Sequence, residues 1–146
     1  MIRTGSTALP TPVPAPDPMT SEYWDAAAAG SLVLPRCRAC REVFWYPRPH
    51  CPLCGADGVE YVPAVGRGVV YTFTVVRRAG GAWGEAAPYV LAMVTLPEGV
   101  TVSANIIDTP HGRLRIGLPV RAVFERGSAD SPAVLRFTAA GAEKAP

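Results

Sequence analysis

Cys37-Arg38-Ala39-Cys40-Arg41-Glu42-Val43-Phe44-Trp45-Tyr46-Pro47-Arg48-Pro49-His50-Cys51-Pro52-Leu53-Cys54 holds every cysteine of the 146-residue chain, as two Cys-x-x-Cys pairs ten residues apart. Each pair can turn two thiolates toward one ion, and two such knuckles complete a tetrahedral sulfur site. The short spacer brings the second knuckle back beside the first at little loop-closure cost. Gly55 follows the second knuckle, where backbone amides must turn inward toward sulfur, often at positive φ. Arg41 holds the equivalent place in the first knuckle, which is therefore either strained or turned without positive φ. In a reducing compartment such paired motifs bind metal rather than form disulfides.

Upstream of the metal module (residues 32–64) the composition changes sharply. Prolines at 10, 12, 14, 16 and 18 remove backbone donors and favour extended chain, so residues 1–19 are expected to form a disordered tail or an arm across a partner. A short helix is expected over 20–31. Thr20 or Ser21 caps it, Glu22 and Asp25 suit its positive end, Ala26–Ala29 has high helix propensity and Gly30 stops it. Tyr23 and Trp24 are its only large side chains and anchor it to the metal module or to another chain. Within the module, Leu32–Arg36 is expected to enter the first knuckle as a strand and Val43–Tyr46 to leave it as another. At least one of Phe44, Trp45 and Tyr46 then leaves the module's own small core.

Downstream, over 65–139, the period becomes two. Val69, Tyr71, Phe73 and Val75 alternate with Val70, Thr72, Thr74 and Val76. Tyr89–Leu96 is almost continuously apolar and predicts a central strand buried on both faces. Pro97-Glu98-Gly99 turns the chain into Val100–Ile107, and Leu118–Glu125 and Ala133–Phe137 supply two further strands. Five strands with one long excursion after the first point to a small closed barrel. Residues 140–146 are expected to be a second disordered tail.

The residue types that carry catalysis are scarce. His50 and His111 are the only histidines, and neither lies in a nucleophile or metalloprotease motif. There is no glycine-rich phosphate loop. Four thiolates on one ion leave no open coordination position, which marks a structural rather than a catalytic site. The net charge of +2 is too small to imply nucleic-acid binding by the whole chain, although Arg36, Arg38, Arg41 and Arg48 make the metal module basic. No apolar run reaches the roughly 18 residues of a membrane span, and a cytoplasmic location is expected. In Arg77–Pro88, glycines and alanines surround Trp83 and Glu85, and a tryptophan on such a loop suits an interface or ligand contact as well as local packing.

The order of helix, four-cysteine ribbon and five-stranded barrel resembles the DUF35 proteins, which join a rubredoxin-like zinc ribbon to an OB-fold. The resemblance is carried by Glu22-Tyr23-Trp24, Leu32-Val33-Leu34-Pro35-Arg36-Cys37, Pro47 through Gly55, Gly66 through Thr74, Pro88-Tyr89-Val90 and Ile116-Gly117-Leu118-Pro119-Val120. It covers about residues 21–138, with Arg41 standing where the family commonly has glycine. It implies a mainly β protein with a short N-terminal helix, a rubredoxin-like zinc ribbon and a five-stranded OB-fold barrel. It further implies one structural Zn2+ per chain on Cys37, Cys40, Cys51 and Cys54. The implied role is non-catalytic: a subunit that binds a thiolase-fold enzyme in a two-plus-two or larger assembly. With its partner it would share an acyl-CoA substrate and help form the channel of a thiolase, acyltransferase or retro-aldolase. Candidate contacts to partner or coenzyme A are then Tyr23, Trp24, Arg36, Arg38, Arg48, Arg77 and Trp83, the guanidinium groups suiting phosphate. Two alternatives stand beside this one: an OB-fold that binds single-stranded nucleic acid through stacking aromatics, and a rubredoxin-like electron carrier with iron on the sulfurs.

Overall fold

The computed structural model describes residues 1–4, 9–12, 15 and 17–141. Helix α1 (Ser21–Ala28) is only two turns long and has no intrinsic stability of its own. Thr20 stands at its N-cap position but makes no side-chain cap bond. The cap comes from one turn upstream: Asp17 Oδ1 accepts the backbone N–H groups of Met19 and Thr20 at 2.9 and 2.8 Å. At the other end Gly30 has φ +78°, and the Gly30 and Ser31 amides return to the carbonyls of Ala27 and Ala26, a Schellman closure. Burial of Tyr23 and Ala27 then holds the helix in place. Arg126 also holds it, donating to the Ala28 carbonyl at the helix end and to the Ala129 carbonyl at 3.0 Å.

The ribbon sheet pairs β2 (Val33–Cys37) with β3 (Val59–Pro63), antiparallel and in register from Val33↔Pro63 to Cys37↔Val59. The segment Val43–Tyr46, expected as a strand, contributes one bridge only, Arg36↔Val43. The turn toward Pro47 carries the chain away too soon, and the edge of β2 is taken by the segment after the second knuckle. Phe44 packs beside Cys37 and Cys51, Trp45 meets Tyr23 edge to face at 5.5 Å, and Tyr46 is exposed.

The barrel consists of β4 (Arg67–Val76), β5 (Tyr89–Thr95), β6 (Thr101–Ile106), β7 (Pro119–Arg126) and β8 (Val134–Ala139). Its order is β7-β4-β5-β6-β8, closed by the β7–β8 pairing, with β6 and β8 parallel. This is the five-stranded, mainly antiparallel barrel of an OB-fold. Between β4 and β5 lies a short helix, α2 (Gly81–Glu85), where the sequence predicts only a glycine-rich loop. Gly68 admits close approach within the sheet: a Cβ there would lie 2.6 Å from Val94 and 2.7 Å from the Thr95 carbonyl.

Two further expectations change. β5 is not buried on both faces: Val90, Ala92 and Val94 point inward, whereas Leu91 and Met93 face outward at 42 % and 38 % exposure. Among the described residues no layer covers the outer side of the β4–β5–β6 meander, so apolar residues stand there without a core. The proline-rich arm is ordered in its described parts. β1 (Ile2–Thr4) runs parallel to β7 at Phe124–Arg126, Leu9 is buried, and the Pro10 carbonyl accepts Arg136 Nη2 at 2.8 Å. The physical reason is an open edge: β4 pairs with β7 only across Pro119–Arg121, and Ile2–Thr4 precedes the first proline. The C-terminal residues 142–146 lie outside the described residues.

One core runs through all three parts, from Tyr23 and Ala27 on the helix through Leu32 and Leu34 to Val94, Val102, Phe124 and Phe137 in the barrel. Leu34 is fully buried at the junction. Leu34→Ala is expected to lower stability by about 2–5 kcal/mol, with the loss of barrel β-structure, followed by far-ultraviolet circular dichroism in urea, shifting together with that of the ribbon. Two separate transitions, with the barrel's unmoved, would contradict the shared core.

Candidate metal centre

The two knuckles are built alike. Arg41 N–H donates to the Cys37 carbonyl at 3.0 Å and Gly55 N–H to the Cys51 carbonyl at 2.9 Å, each closing a tight turn. Both turns need a left-handed residue. Gly55 supplies it at φ +74°, and Arg41 adopts it at φ +67° at a cost of about 1–2 kcal/mol. The Arg41 side chain is held in that geometry by an ion pair to Glu60 at 2.9 Å.

The four sulfurs lie within 4.8 Å of one another. Cys37 and Cys54 are 3.6 Å apart at Sγ, Cys40 and Cys51 3.7 Å. An ion bound to four thiolates at about 2.3 Å requires sulfurs about 3.8 Å apart, so the spacing fits tetrahedral sulfur coordination. Backbone amides already face the sulfurs: Cys40 N–H points to Cys37 Sγ at 3.5 Å and Leu53 N–H to Cys51 Sγ at 3.4 Å. Cys37 and Cys51 are buried against Phe44, Cys40 is half-buried and Cys54 is exposed. The amide of Cys40 draws the Cys37 thiol down to about 7, against the opposing effect of burial. At Cys40 a backbone hydrogen bond from Glu42 also favours the thiolate, but burial and the three neighbouring thiols outweigh it and push the group up to about 12. Four thiols this close cannot all ionise unless a cation takes up the charge, so loading of metal must release protons.

Around the sulfurs the charges are paired within the ribbon. Glu60 lies opposite Arg36 in the β2–β3 register and accepts Arg36 at 2.7 Å as well as Arg41. The Arg36 hydrogen bond, with help from Arg41 and Arg38, holds the Glu60 carboxyl below its ordinary range. His50 pairs with Asp57 on the surface of the second knuckle and His111 is exposed elsewhere, so the two histidines do not meet.

The sequence-derived contact candidates scatter over the molecule. Tyr23 is 4 % exposed and belongs to the core, and Trp24 packs on it at 5.0 Å. Arg36 is engaged by Glu60. Arg38, Arg48 and Arg77 are exposed, with Arg48 donating to the Tyr46 carbonyl. Trp83 sits on α2, half-buried against Tyr89 at 5.1 Å. Sequence reading missed the buried triad below it, in which Arg136 bonds Glu125 and Asn105. Its members are more than ten residues apart along the chain, and only the pairing of β6, β7 and β8 assembles them.

Two outcomes are expected for the centre. Cys51→Ser should lose the ion and unfold the ribbon, since structural zinc contributes about 10–16 kcal/mol in small zinc-dependent folds; full metal content and an unchanged melting transition in that variant would refute the ligand assignment. Metal affinity should fall from pH 8 to pH 6, because Cys37 is protonated below about 7 and Cys40 holds its proton throughout. Competition against a chromophoric chelator measures it, and a flat profile would show that loading displaces no protons.

The family comparisons agree with this geometry. The model of the ChsH2 rubredoxin-like zinc ribbon domain matches residues 24–60, and that of the ChsH2 C-terminal OB-fold domain matches residues 61–125. A DUF35 domain-containing scaffold protein of Methanocaldococcus jannaschii is 36 % identical over 65 % of this chain and 68 % of its own length. A probable enoyl-CoA hydratase alpha subunit of Thermomonospora curvata is 35 % identical over 75 % of this chain, which spans only 34 % of that protein. The benzoylsuccinyl-CoA thiolase subunit BbsA of Geobacter metallireducens is 35 % identical over 51 % of each chain. Among solved structures, a chain of the Ltp2-ChsH2(DUF35) aldolase superposes with a TM-score of 0.76 at 30 % identity, covering 86 % of this chain and 98 % of that one. The paired knuckles, the ribbon sheet and the closed barrel thus make this chain a member of the DUF35 family of zinc-ribbon and OB-fold proteins.

Proposed function

We propose that this chain is an accessory subunit of an acyl-CoA-processing complex, in which a thiolase-fold partner carries out the carbon–carbon bond chemistry. The observation that carries this reading is the metal centre itself. Its four sulfurs stand close enough to bind one ion together, and a zinc held by all four would have no position left for water or substrate. The remaining catalytic residue types are dispersed, with His50 and His111 both on the surface and far apart in the chain. A protein so built holds an assembly together rather than performing the chemical step. The names of its relatives support the same reading: a scaffold protein, a thiolase subunit and a chain of an aldolase complex.

Within such a complex the ribbon takes the polar share of the contact. Arg36 and Arg41 are both engaged by Glu60, which leaves Arg38, Arg48 and the barrel's Arg77, among the candidate contacts, as guanidinium groups available to the phosphates of coenzyme A. The closed ribbon and barrel form one side of the acyl-CoA passage, with the partner forming the other.

Affinity-tagged full-length chain, purified from its own organism and with its companions identified by mass spectrometry, is expected to bring down a thiolase-fold protein and to be colourless, with one zinc per chain. Titration of that complex with coenzyme A at low and high salt reads the contribution of the arginines, which weakens as salt rises. Recovery of the chain alone, or of a partner enzyme whose activity is indifferent to it, would count against the reading. A coloured, redox-active iron site would replace it with electron transfer.

A further inference from the structure

Beyond Arg67 at the start of β4, the outer face of the β4–β5–β6 meander carries no charge. Val69–Val76, Tyr89–Leu96 and Val100–Ile107 contain no Asp, Glu, Lys or Arg among them. On that face Val69, Tyr71, Leu91 and Met93 are 43 %, 66 %, 42 % and 38 % exposed. They stand among the hydroxyls of Thr72, Thr74 and Ser103, with Thr74 opposite Leu91, and Thr72 and Ser103 opposite Met93. A shift of strand register between Val70 and Thr72 marks a bulge at Tyr71, beside the other apolar side chains. Sheet faces that remain in water normally alternate with polar and charged side chains, whereas the centres of protein interfaces lose charge and gain Tyr and Met.

The face ends in a socket of about 350 Å3 lined by Ala79, Gly80, Trp83, Tyr89, Leu91 and Asn105. Leu91 belongs both to the socket and to the open face, so the two are continuous. The one polar side chain in its floor is already satisfied: Asn105 Nδ2 donates to the Val90 carbonyl at 2.9 Å, and its Oδ1 accepts Arg136. The socket therefore suits an apolar group. Its wall is also set in advance. Trp83 rests on Tyr89 and lies 6.0 Å from the Arg136 guanidinium. Arg136 is in turn tied to Glu125 and to the Pro10 carbonyl, and Leu9 packs into the cluster that includes Trp83. A pocket held in this way need not be ordered on binding, which removes part of the entropic cost of association.

Resting on the scaffold reading above, we propose that this face and socket are the surface on which the thiolase-fold subunit docks, with one apolar side chain of that subunit seated between Trp83, Tyr89 and Leu91. The charge distribution selects the occupant. Exposed arginines lie on the ribbon (Arg38, Arg48) and at the two ends of β4 (Arg67, Arg77, Arg78), so the centre of the meander face offers an anionic strand or cofactor no charge to pair with. The meander matches an uncharged, apolar protein surface, and a large subunit with such a surface is the partner the scaffold reading supplies. The N-terminal arm acts as a prop behind the socket, and Arg136 is a positioning residue for Trp83.

The test uses the full chain and the thiolase-fold protein captured with it. Leu91→Glu and Thr72→Lys each put a charge on the face at an exposed position, and each is expected to weaken binding to the captured subunit at least about tenfold, with zinc content and melting temperature unchanged. Thr72→Lys keeps the inference open to test if Leu91→Glu fails to fold, since Thr72 makes no side-chain hydrogen bond among the described contacts. Leu9→Ser, which is off the face, is expected to weaken binding by a smaller factor through the socket wall. If the wild-type chain binds the subunit and both charged variants bind equally well, the docking face is refuted while the scaffold reading stands. If these variants instead break a dimer of this chain and leave subunit binding intact, the face belongs to a second copy and the inference is overturned. If the wild-type chain captures no thiolase-fold protein, the scaffold reading itself fails.

Discussion

Four sulfurs converging on one point are the constraint from which the rest of the structure follows. Each knuckle contributes two thiolates, and bringing the pairs to 3.6–3.7 Å fixes the relative position of two segments that share little else. β2 runs into the first knuckle, and β3 starts soon after the second, so closing the centre places β3 on the free edge of β2. The ribbon so formed presents Leu32 and Leu34 to the shared core and Trp45 to the helix. A two-stranded sheet of this size is marginal in water, and an ion bound by the four sulfurs would supply the stability that its small core lacks. The left-handed Arg41 fits this view: a strained residue persists where the metal site over-determines the turn.

The barrel obeys a different rule. Its interior is filled by alternate residues of five strands, and closure by β7 and β8 removes the sheet edges that would invite unwanted pairing. β4 pairs with β7 only over Pro119–Arg121, and β1 pairs with it farther along at Phe124–Arg126, so the N-terminal arm extends the sheet rather than trailing from it. The buried Arg136 links that arm, through Pro10, to Glu125 and Asn105 in the sheet. A buried ion pair of this kind adds little net stability, because desolvation offsets the attraction. It does fix the geometry around it, and in this protein that geometry includes the wall formed by Trp83.

Charge is divided between the two halves. The ribbon carries a cluster of guanidinium groups, two of them tethered by Glu60, while Val69–Val76, Tyr89–Leu96 and Val100–Ile107 carry none and leave the barrel's arginines at the margins of that face. A small protein that offers a polar end and a neutral face is suited to meeting more than one surface at once, and this is what a scaffold must do.

Much of this was legible along the chain. The two Cys-x-x-Cys pairs determined the metal site by themselves, because local turn geometry directs both thiolates of a pair the same way. The five barrel strands were legible, β4 from period-two alternation and β5 from its continuous apolar run, and Gly30 from the stop it imposes on an alanine run. Tertiary structure decided what no local pattern encodes. Whether an apolar strand is covered on one face or two depends on the layer beside it, so the sequence of β5 could not reveal that Leu91 and Met93 face outward. The partner of β2 was decided by which segment the metal brings alongside, and the cap of α1 by the turn at Asp17. The ordering of Ile2–Thr4 required an open edge more than a hundred residues away. Local chemistry is written in neighbouring residues, whereas pairing, coverage and buried networks belong to contacts that exist only once the chain has closed on itself.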